Sequence, residues 1–217
     1  MDRVAAEVRR AVLSGELPPG RTFSIAELGA RLGVSHIPVR EALSRLEAQG
    51  LIVLRQGRGA MVSPLDRDEL RSIFRLRQML EPDLAARSVA MLTDADLARA
   101  DELLREFTEG DMDADHLWQV HHELHMVYLR PAATVWDLRI LAQLWNASDR
   151  YTRVVFDTYA VSDENREKRR MAHKVIFAAA RSGSPLEIRQ AISEHLADNE
   201  AACLSGIAAL TTPPPGP

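Results

Sequence analysis

Gly33-Val34-Ser35-His36-Ile37-Pro38-Val39-Arg40-Glu41-Ala42-Leu43-Ser44-Arg45-Leu46-Glu47 constrains this chain more than any other stretch. Ala42, Leu43 and Leu46 recur at helical spacing, so a short amphipathic helix must pack that stripe against other elements. Ser35 can cap its start, Pro38 suits a first turn, and Gly50 stops it. With the stripe turned inward, His36, Val39, Arg40, Ser44 and Arg45 fall on or near the outer face. Two arginines on a short capped helix suit phosphates and base edges.

The flanking residues complete a unit. Val4, Val8, Ala11 and Val12 predict a first helix over residues 2–14, which Ser14-Gly15 and Pro18-Pro19-Gly20 end in a turn. Ile25, Leu28 and Leu32 predict a second helix, and Gly33 breaks it, giving helix, short turn and helix. Leu51–Arg55 and Ala60–Ser63 then read as strands, with Gln56-Gly57-Arg58-Gly59 supplying the glycines of a tight hairpin. Residues 1–65 thus read as a winged helix-turn-helix domain that binds double-stranded DNA. The alternative is a small helical domain whose arginines only solvate its surface. Arg58 between two glycines favours the first, because such a tip can approach a phosphate backbone or a minor groove.

Charge divides the same way. Residues 1–65 carry nine basic and six acidic side chains, a net of +3; the remainder carries 18 and 25, a net of −7. A basic module joined to an acidic one suits nucleic-acid binding at one end. The single cysteine, Cys203, precludes an internal disulfide framework and fits a reducing compartment. Charges at Asp2, Arg3, Glu7, Arg9 and Arg10 interrupt any leader-like run, so a soluble cytoplasmic protein with no membrane association is expected.

Gly15-Glu16-Leu17-Pro18-Pro19-Gly20, Val34-Ser35-His36-Ile37-Pro38-Val39-Arg40-Glu41-Ala42-Leu43, Gly50-Leu51 and Arg58-Gly59-Ala60-Met61-Val62 together resemble the DNA-binding domain of GntR-type bacterial transcription regulators. The resemblance implies that Arg40 and Arg45 contact DNA from the recognition helix and that Gly57 to Gly59 form the wing tip. The DNA-contact set is then Ser35, His36, Val39, Arg40, Ser44, Arg45, Gln56, Gly57, Arg58 and Gly59. His36 departs from the arginine usual in that family, which puts one contact in question.

From residue 66 the composition is that of an antiparallel α-helical bundle of about six helices, so the fold is mostly α. The first spans about 66–91 with Leu70, Ile73, Leu76, Leu80 and Leu84 as its stripe and Pro82 as a possible kink. Others are expected at about 94–108, with Thr93 and Asp96 as a capping box, and at 114–129, 135–159 and 164–181. Ser184, Pro185 and Glu187 fit the start of a last helix running to about Cys203. The helical domain is set at residues 66–210, and the Pro-rich residues 211–217 are expected to be disordered.

Histidines mark this second domain. His121 and His125 are four apart and share a helix face, as a metal-chelating pair would. His173 and His195 lie beside apolar residues, so three helices can converge on one ion. The domain resembles the ligand-sensing C-terminal domain of the FadR branch of GntR regulators (the FCD type). Three features carry this: Arg77 to Glu81; Leu124-His125 with Leu144-Trp145 and Tyr151-Thr152-Arg153; and His173 standing 22 residues before His195. That resemblance implies a divalent metal on His121, His125, His173 and His195, with a small carboxylate as effector. His121 stands where the pattern has an acid, which favours zinc or nickel. His122 or Asp115 can enter instead if the register shifts. Arg150, Arg153 and Asn146 are the expected effector contacts, since guanidinium matches a carboxylate; a surface-charge role for them is the alternative.

The function expected is a ligand-responsive transcription regulator, by default a repressor, that binds a palindromic operator as a homodimer and is not an enzyme. A metal-dependent hydrolase built on the histidines and a regulator with a purely structural metal are the alternatives. Against the hydrolase, Glu123 lies two residues after His121 and so turns away from the metal face.

Overall fold

The computed structural model describes residues 2–55, 59–110, 112–158 and 162–211. In chain order its elements are α1 (Asp2–Leu13), β1 (Thr22–Phe23), α2 (Ile25–Leu32), α3 (His36–Ala48), β2 (Ile52–Arg55), β3 (Gly59–Val62), α4 (Arg67–Ser88), α5 (Asp94–Glu109), α6 (Ala114–Leu129), α7 (Val135–Thr158), α8 (Asp163–Ser182) and α9 (Pro185–Thr211). Single 3-10 turns, Val89–Met91 and Arg130–Ala132, follow α4 and α6. Among the described residues no helix is long and apolar enough to cross a membrane.

The N-terminal elements close around one apolar core. Val4, Val8, Ala11 and Val12 of α1 meet Leu28 of α2 and Ala42, Leu43 and Leu46 of α3 there. Burying each larger aliphatic side chain contributes roughly 1.5–3 kcal/mol. Gly33 ends α2 in the left-handed region (φ 66°), so only three residues separate the two helices. Ser35 begins α3 from an extended conformation, yet its side chain makes no capping bond, contrary to expectation. The reason is local: Pro38 is the third helical residue, where the N–H that a cap would accept is missing.

β3 lies between β1 and β2, antiparallel to both. Thr22 pairs with Met61 and Phe23 with Ala60, while Arg55 pairs with Gly59 across the hairpin. β1, only two residues long, gives no alternation to read from sequence. It requires Gly59: φ is +85° there, and a Cβ would stand 2.3 Å from the Phe23 carbonyl oxygen. Gln56, Gly57 and Arg58, expected at the wing tip, lie outside the described residues.

The remaining helices form the second core, in which Phe74, Leu84, Leu103, Leu124, Tyr128, Leu141, Tyr151, Ile192 and Leu196 are buried. Two expectations change. Leu76 is 45% exposed, because the inward face of α4 runs through Leu70, Ile73, Phe74, Arg77, Glu81 and Leu84, an ion pair included, while Leu80 packs half-buried against the same core. α9 continues past Cys203 to Thr211, since Cys203 and Ile207, one turn apart, extend its buried side. Thr211 is therefore helical; residues 212–217 of the expected tail lie outside the described ones.

Candidate functional site

Two surfaces emerge, one on α3 and one inside the helical domain. On α3, Ser35, His36, Arg40, Ser44 and Arg45 are exposed and share the side away from the core. Val39 is not among them: it is fully buried beside Leu43, so its expected DNA contact is corrected to a core role. Ile37, which the sequence reading passed over, is 72% exposed at the start of the same helix. The first turn of α3 holds no acidic side chain, which leaves its N-terminal partial positive charge available to an anion.

In the helical domain, α6 supplies His121 and His125, α8 supplies His173 and α9 supplies His195. One ring nitrogen from each lies within 4.8 Å of the others. Nε2 of His125 is 3.1 Å from Nε2 of His173, and Nδ1 of His173 donates to the Arg169 carbonyl at 2.7 Å. The second bond fixes the His173 tautomer and leaves its Nε2 a bare acceptor, the usual arrangement behind a metal-ligating histidine. Burial, reinforced by the neighbouring imidazoles, holds His121, His125 and His195 well below the usual histidine range. Burial brings His173 down to about 4. The four rings are thus neutral at physiological pH, the form a cation requires. Nδ1 of His121 and Nδ1 of His125 are buried without a hydrogen-bond partner, a deficit that an ion or water would relieve.

Of the alternatives left open by the sequence, His122 points to Asp149, its Nε2 3.1 Å from Oδ1. Asp115 pairs with Arg153, so neither joins the cluster. Glu123 is exposed and accepts a bond from Arg99 at 2.9 Å, which leaves no carboxylate base facing the histidines from α6.

The cluster opens on a cavity of about 30 Å³, room for an ion and a few small ligand atoms; its wall includes Arg77, Trp118, Trp145, Asp149, Arg169 and Asn199. Phe156, Arg169, His195 and Asn199 also border a wider groove of about 1000 Å³ between the end of α7, α8 and α9. Arg77 is held by Glu81, 2.6 Å from Nε, and donates to Ser148 Oγ at 3.2 Å. Trp145 Nε1 donates to the same Glu81 carboxylate at 2.9 Å. Arg169 lies over the Phe156 ring. Guanidinium and amide groups around neutral imidazoles can receive an anion that also touches a bound cation.

The expected effector contacts go elsewhere. Arg150 donates to the Pro64 carbonyl at 3.0 Å and pairs with Glu69. Arg153 pairs with Asp115, and Asn146 does not line the cavity. Their face of α7 grips the linker and α6, whereas Trp145, Ser148, Asp149 and Thr152 on the adjoining face look into the chamber. Arg77 was missed because an i,i+4 Arg–Glu pair reads as helix surface; the sequence signal was its register with Phe74 and Leu84.

A winged helix-turn-helix domain joined to a helical bundle is the architecture of a two-domain DNA-binding regulator. Residues 1–62 match the family described as bacterial regulatory proteins, gntR family, and residues 72–198 match the FCD domain. The chain belongs to the GntR family of bacterial transcription regulators, in its FCD-containing FadR branch. It is 26% identical over 193 residues to the HTH-type transcriptional repressor RspR of Escherichia coli K12, covering 87% of this chain and 82% of that protein. It is 30% identical over 120 residues to the HTH-type transcriptional regulator LutR of Bacillus subtilis, covering 48% and 54% of the two. The solved structure of E. coli McbR/YncC superposes with a TM-score of 0.77 at 23% identity, covering 94% of this chain and 96% of that one. A putative GntR regulator from Rhodococcus sp. RHA1 gives 0.73 at 22%, with 94% and 97% covered. At these identities the two structures support the fold. The relatives are transcription regulators, and this chain is one by family, with no enzymatic role.

Proposed function

We propose that this protein is a cytoplasmic, metabolite-responsive repressor that binds a palindromic operator as a homodimer through residues 1–65 and senses a small carboxylate through residues 66–210. His121, His125, His173 and His195 would hold a divalent ion, zinc or nickel in preference to a hard cation, because the donor set is all imidazole. Such an ion would supply a Lewis-acidic positive centre to the chamber. Arg77, Arg169 and Asn199 replace Arg150, Arg153 and Asn146 as the proposed effector contacts. Ser35, His36, Arg40, Ser44 and Arg45 are the proposed DNA contacts from α3, with Gln56 to Gly59 at the wing. RspR, a repressor in name, supports repression as the default.

The observation that carries this reading is the convergence of four neutral imidazoles, three of them buried and His121 half-buried, from three helices within 4.8 Å. A structural ion alone would not call for the guanidinium groups that share the cavity wall. Metal analysis of the purified protein, followed by thermal melting with zinc or nickel and then with small carboxylates, tests it. Ligand binding confined to the native state stabilises by about 2.7 kcal/mol at one hundred times Kd. A carboxylate that raises Tm only with metal present supports the sensor. Protein that neither takes up metal nor gains stability from it overturns the reading. Selection from random duplexes should return inverted half-sites about one helical turn apart.

A further inference from the structure

Among the described residues Asp149 is the one acidic side chain on the chamber wall, and it is shared between two claimants. Its Oδ1 meets Nε2 of His122 at 3.1 Å, and His122 is itself a wall residue stacked on Trp145. Its Oδ2 meets Nη2 of Arg9 at 3.1 Å, and Arg9 belongs to α1, outside the chamber. The other terminal nitrogen of Arg9, Nη1, donates to Oε1 of Gln49 at 3.2 Å, and Gln49 is the residue that caps α3. One guanidinium therefore holds the sensor's acid with one hand and the end of the recognition helix with the other. The carboxylate is buried while Arg9 stays partly open, so the pair can rearrange without disrupting either core.

We propose that Arg9 is a positioning residue that reports occupancy of the histidine chamber to α3, through Asp149 on one side and Gln49 on the other. This rests on reading the chamber as the sensor site. A divalent cation among the histidines draws the Asp149 carboxylate inward and weakens its hold on Arg9; an anion added beside that cation reverses the pull. Each change alters how firmly Arg9 ties α1 to the cap of α3. That gives occupied and empty chambers different preferred placements of the recognition helix, which coupling between the two sites requires. Arg150 and Tyr151, next in sequence, contact Pro64, Asp66 and Glu69. They brace the linker, so they set the frame in which Arg9 moves.

The test is hydrogen exchange by mass spectrometry on the full chain, with zinc as the probe and Tm as the measure of zinc binding. In the wild type, zinc should raise Tm and change exchange severalfold in α1 and in the last turn of α3. Arg9→Ala should keep the zinc-induced rise in Tm, since Arg9 bonds to Asp149 and Gln49 whereas the cation would sit on the histidines, but lose the zinc-dependent change at α3. Arg9→Gln should do the same, which guards against loss of packing in the alanine variant. Gln49→Ala should keep the response in α1 and lose it in α3, a separation that a merely structural role for Arg9 would not produce. A wild-type response at α3 in both Arg9 variants overturns the relay, as does a zinc-induced rise in Tm with no change at α1 and α3. If zinc leaves the wild-type Tm unchanged, the sensor reading fails and the relay falls with it.

Discussion

Nε2 of His125 faces Nε2 of His173 across 3.1 Å, and only one of these nitrogens can carry a proton. His173 donates from Nδ1 to the Arg169 carbonyl, so its Nε2 is bare and the proton between the rings belongs to His125. In the metal-free protein His125 is therefore the Nε2–H tautomer. Zinc bound through both Nε2 atoms must displace that proton to Nδ1. Long-range proton–nitrogen NMR of the imidazoles should show the tautomer of His125 switching on zinc addition while that of His173 stays fixed. Unchanged His125 nitrogens under saturating zinc would rule out a shared ion.

Loss of a ligand should outweigh loss of a supporting bond. Removing a group that only orients a ligand costs about 10–100-fold in metal affinity, so His125→Ala and His173→Ala should each weaken zinc binding by at least about 100-fold in competition with a chromogenic chelator. His122→Ala should cost far less, since its Nε2 is spent on Asp149. Equal losses at His122 and His125 would contradict the assignment.

The same burial sets a pH dependence. The folded-state pKa of His173 is about 4 and those of the other three are also depressed, whereas the unfolded chain titrates near 6.5. Above about pH 6.5 neither state binds these protons, and they leave stability unchanged. As pH falls below that value the unfolded state takes up protons that the native state refuses, so stability drops. Each buried histidine contributes a loss on the order of 1 kcal/mol by pH 5.5. Urea unfolding of metal-free protein should show this decline, whereas the zinc affinity of the folded protein should hold until the pH nears the folded-state value of His173, about 4. A variant with His121 and His125 both replaced by Gln should show a shallower slope.

These residues also mark how much the sequence disclosed. The four histidines were legible because helical spacing and two apolar settings are local signals. So was the helix-turn-helix, where Gly33, Leu43 and Leu46 each act within one or two turns. The guanidinium groups of the chamber were not. Arg150 and Arg77 both sit on helices that alternate between faces, and only packing decides which face looks inward. Arg150 proved to hold the linker and Arg77 the chamber wall. Val39 was misplaced for a related reason: a helix lodged against two others buries a wider stripe than Ala42, Leu43 and Leu46 alone define.

The Arg77–Glu81 pair converts that burial into a measurable cost. Both side chains are nearly inaccessible, and Glu81 also accepts from Trp145. Removing either partner strands the other charge in the core, typically at about 3–5 kcal/mol. Glu81→Ala should therefore lower the urea midpoint sharply. Arg77→Met with Glu81→Leu, which removes both charges, should recover much of the loss while still impairing anion binding in the chamber. A double variant as unstable as the single one would mean that packing, not charge, dominates at this site.

On α3 two adjacent residues should separate stability from DNA binding. Val39 is fully buried and Arg40 is exposed. Val39→Ala removes two methyl groups from a packed core and should cost about 2 kcal/mol of stability, with little change in affinity for a selected duplex at temperatures where it stays folded. Arg40→Ala should leave Tm nearly unchanged and weaken binding by roughly 1–3 kcal/mol if it reads a base. If it touches only phosphate, binding should weaken evenly across sequences and the salt slope should fall by about 1. Arg45→Ala discriminates in the same way one turn further along. His36→Arg restores the cation usual in the family; it should tighten binding and steepen the salt dependence if His36 faces DNA, and do neither if that end of α3 stands clear of the duplex.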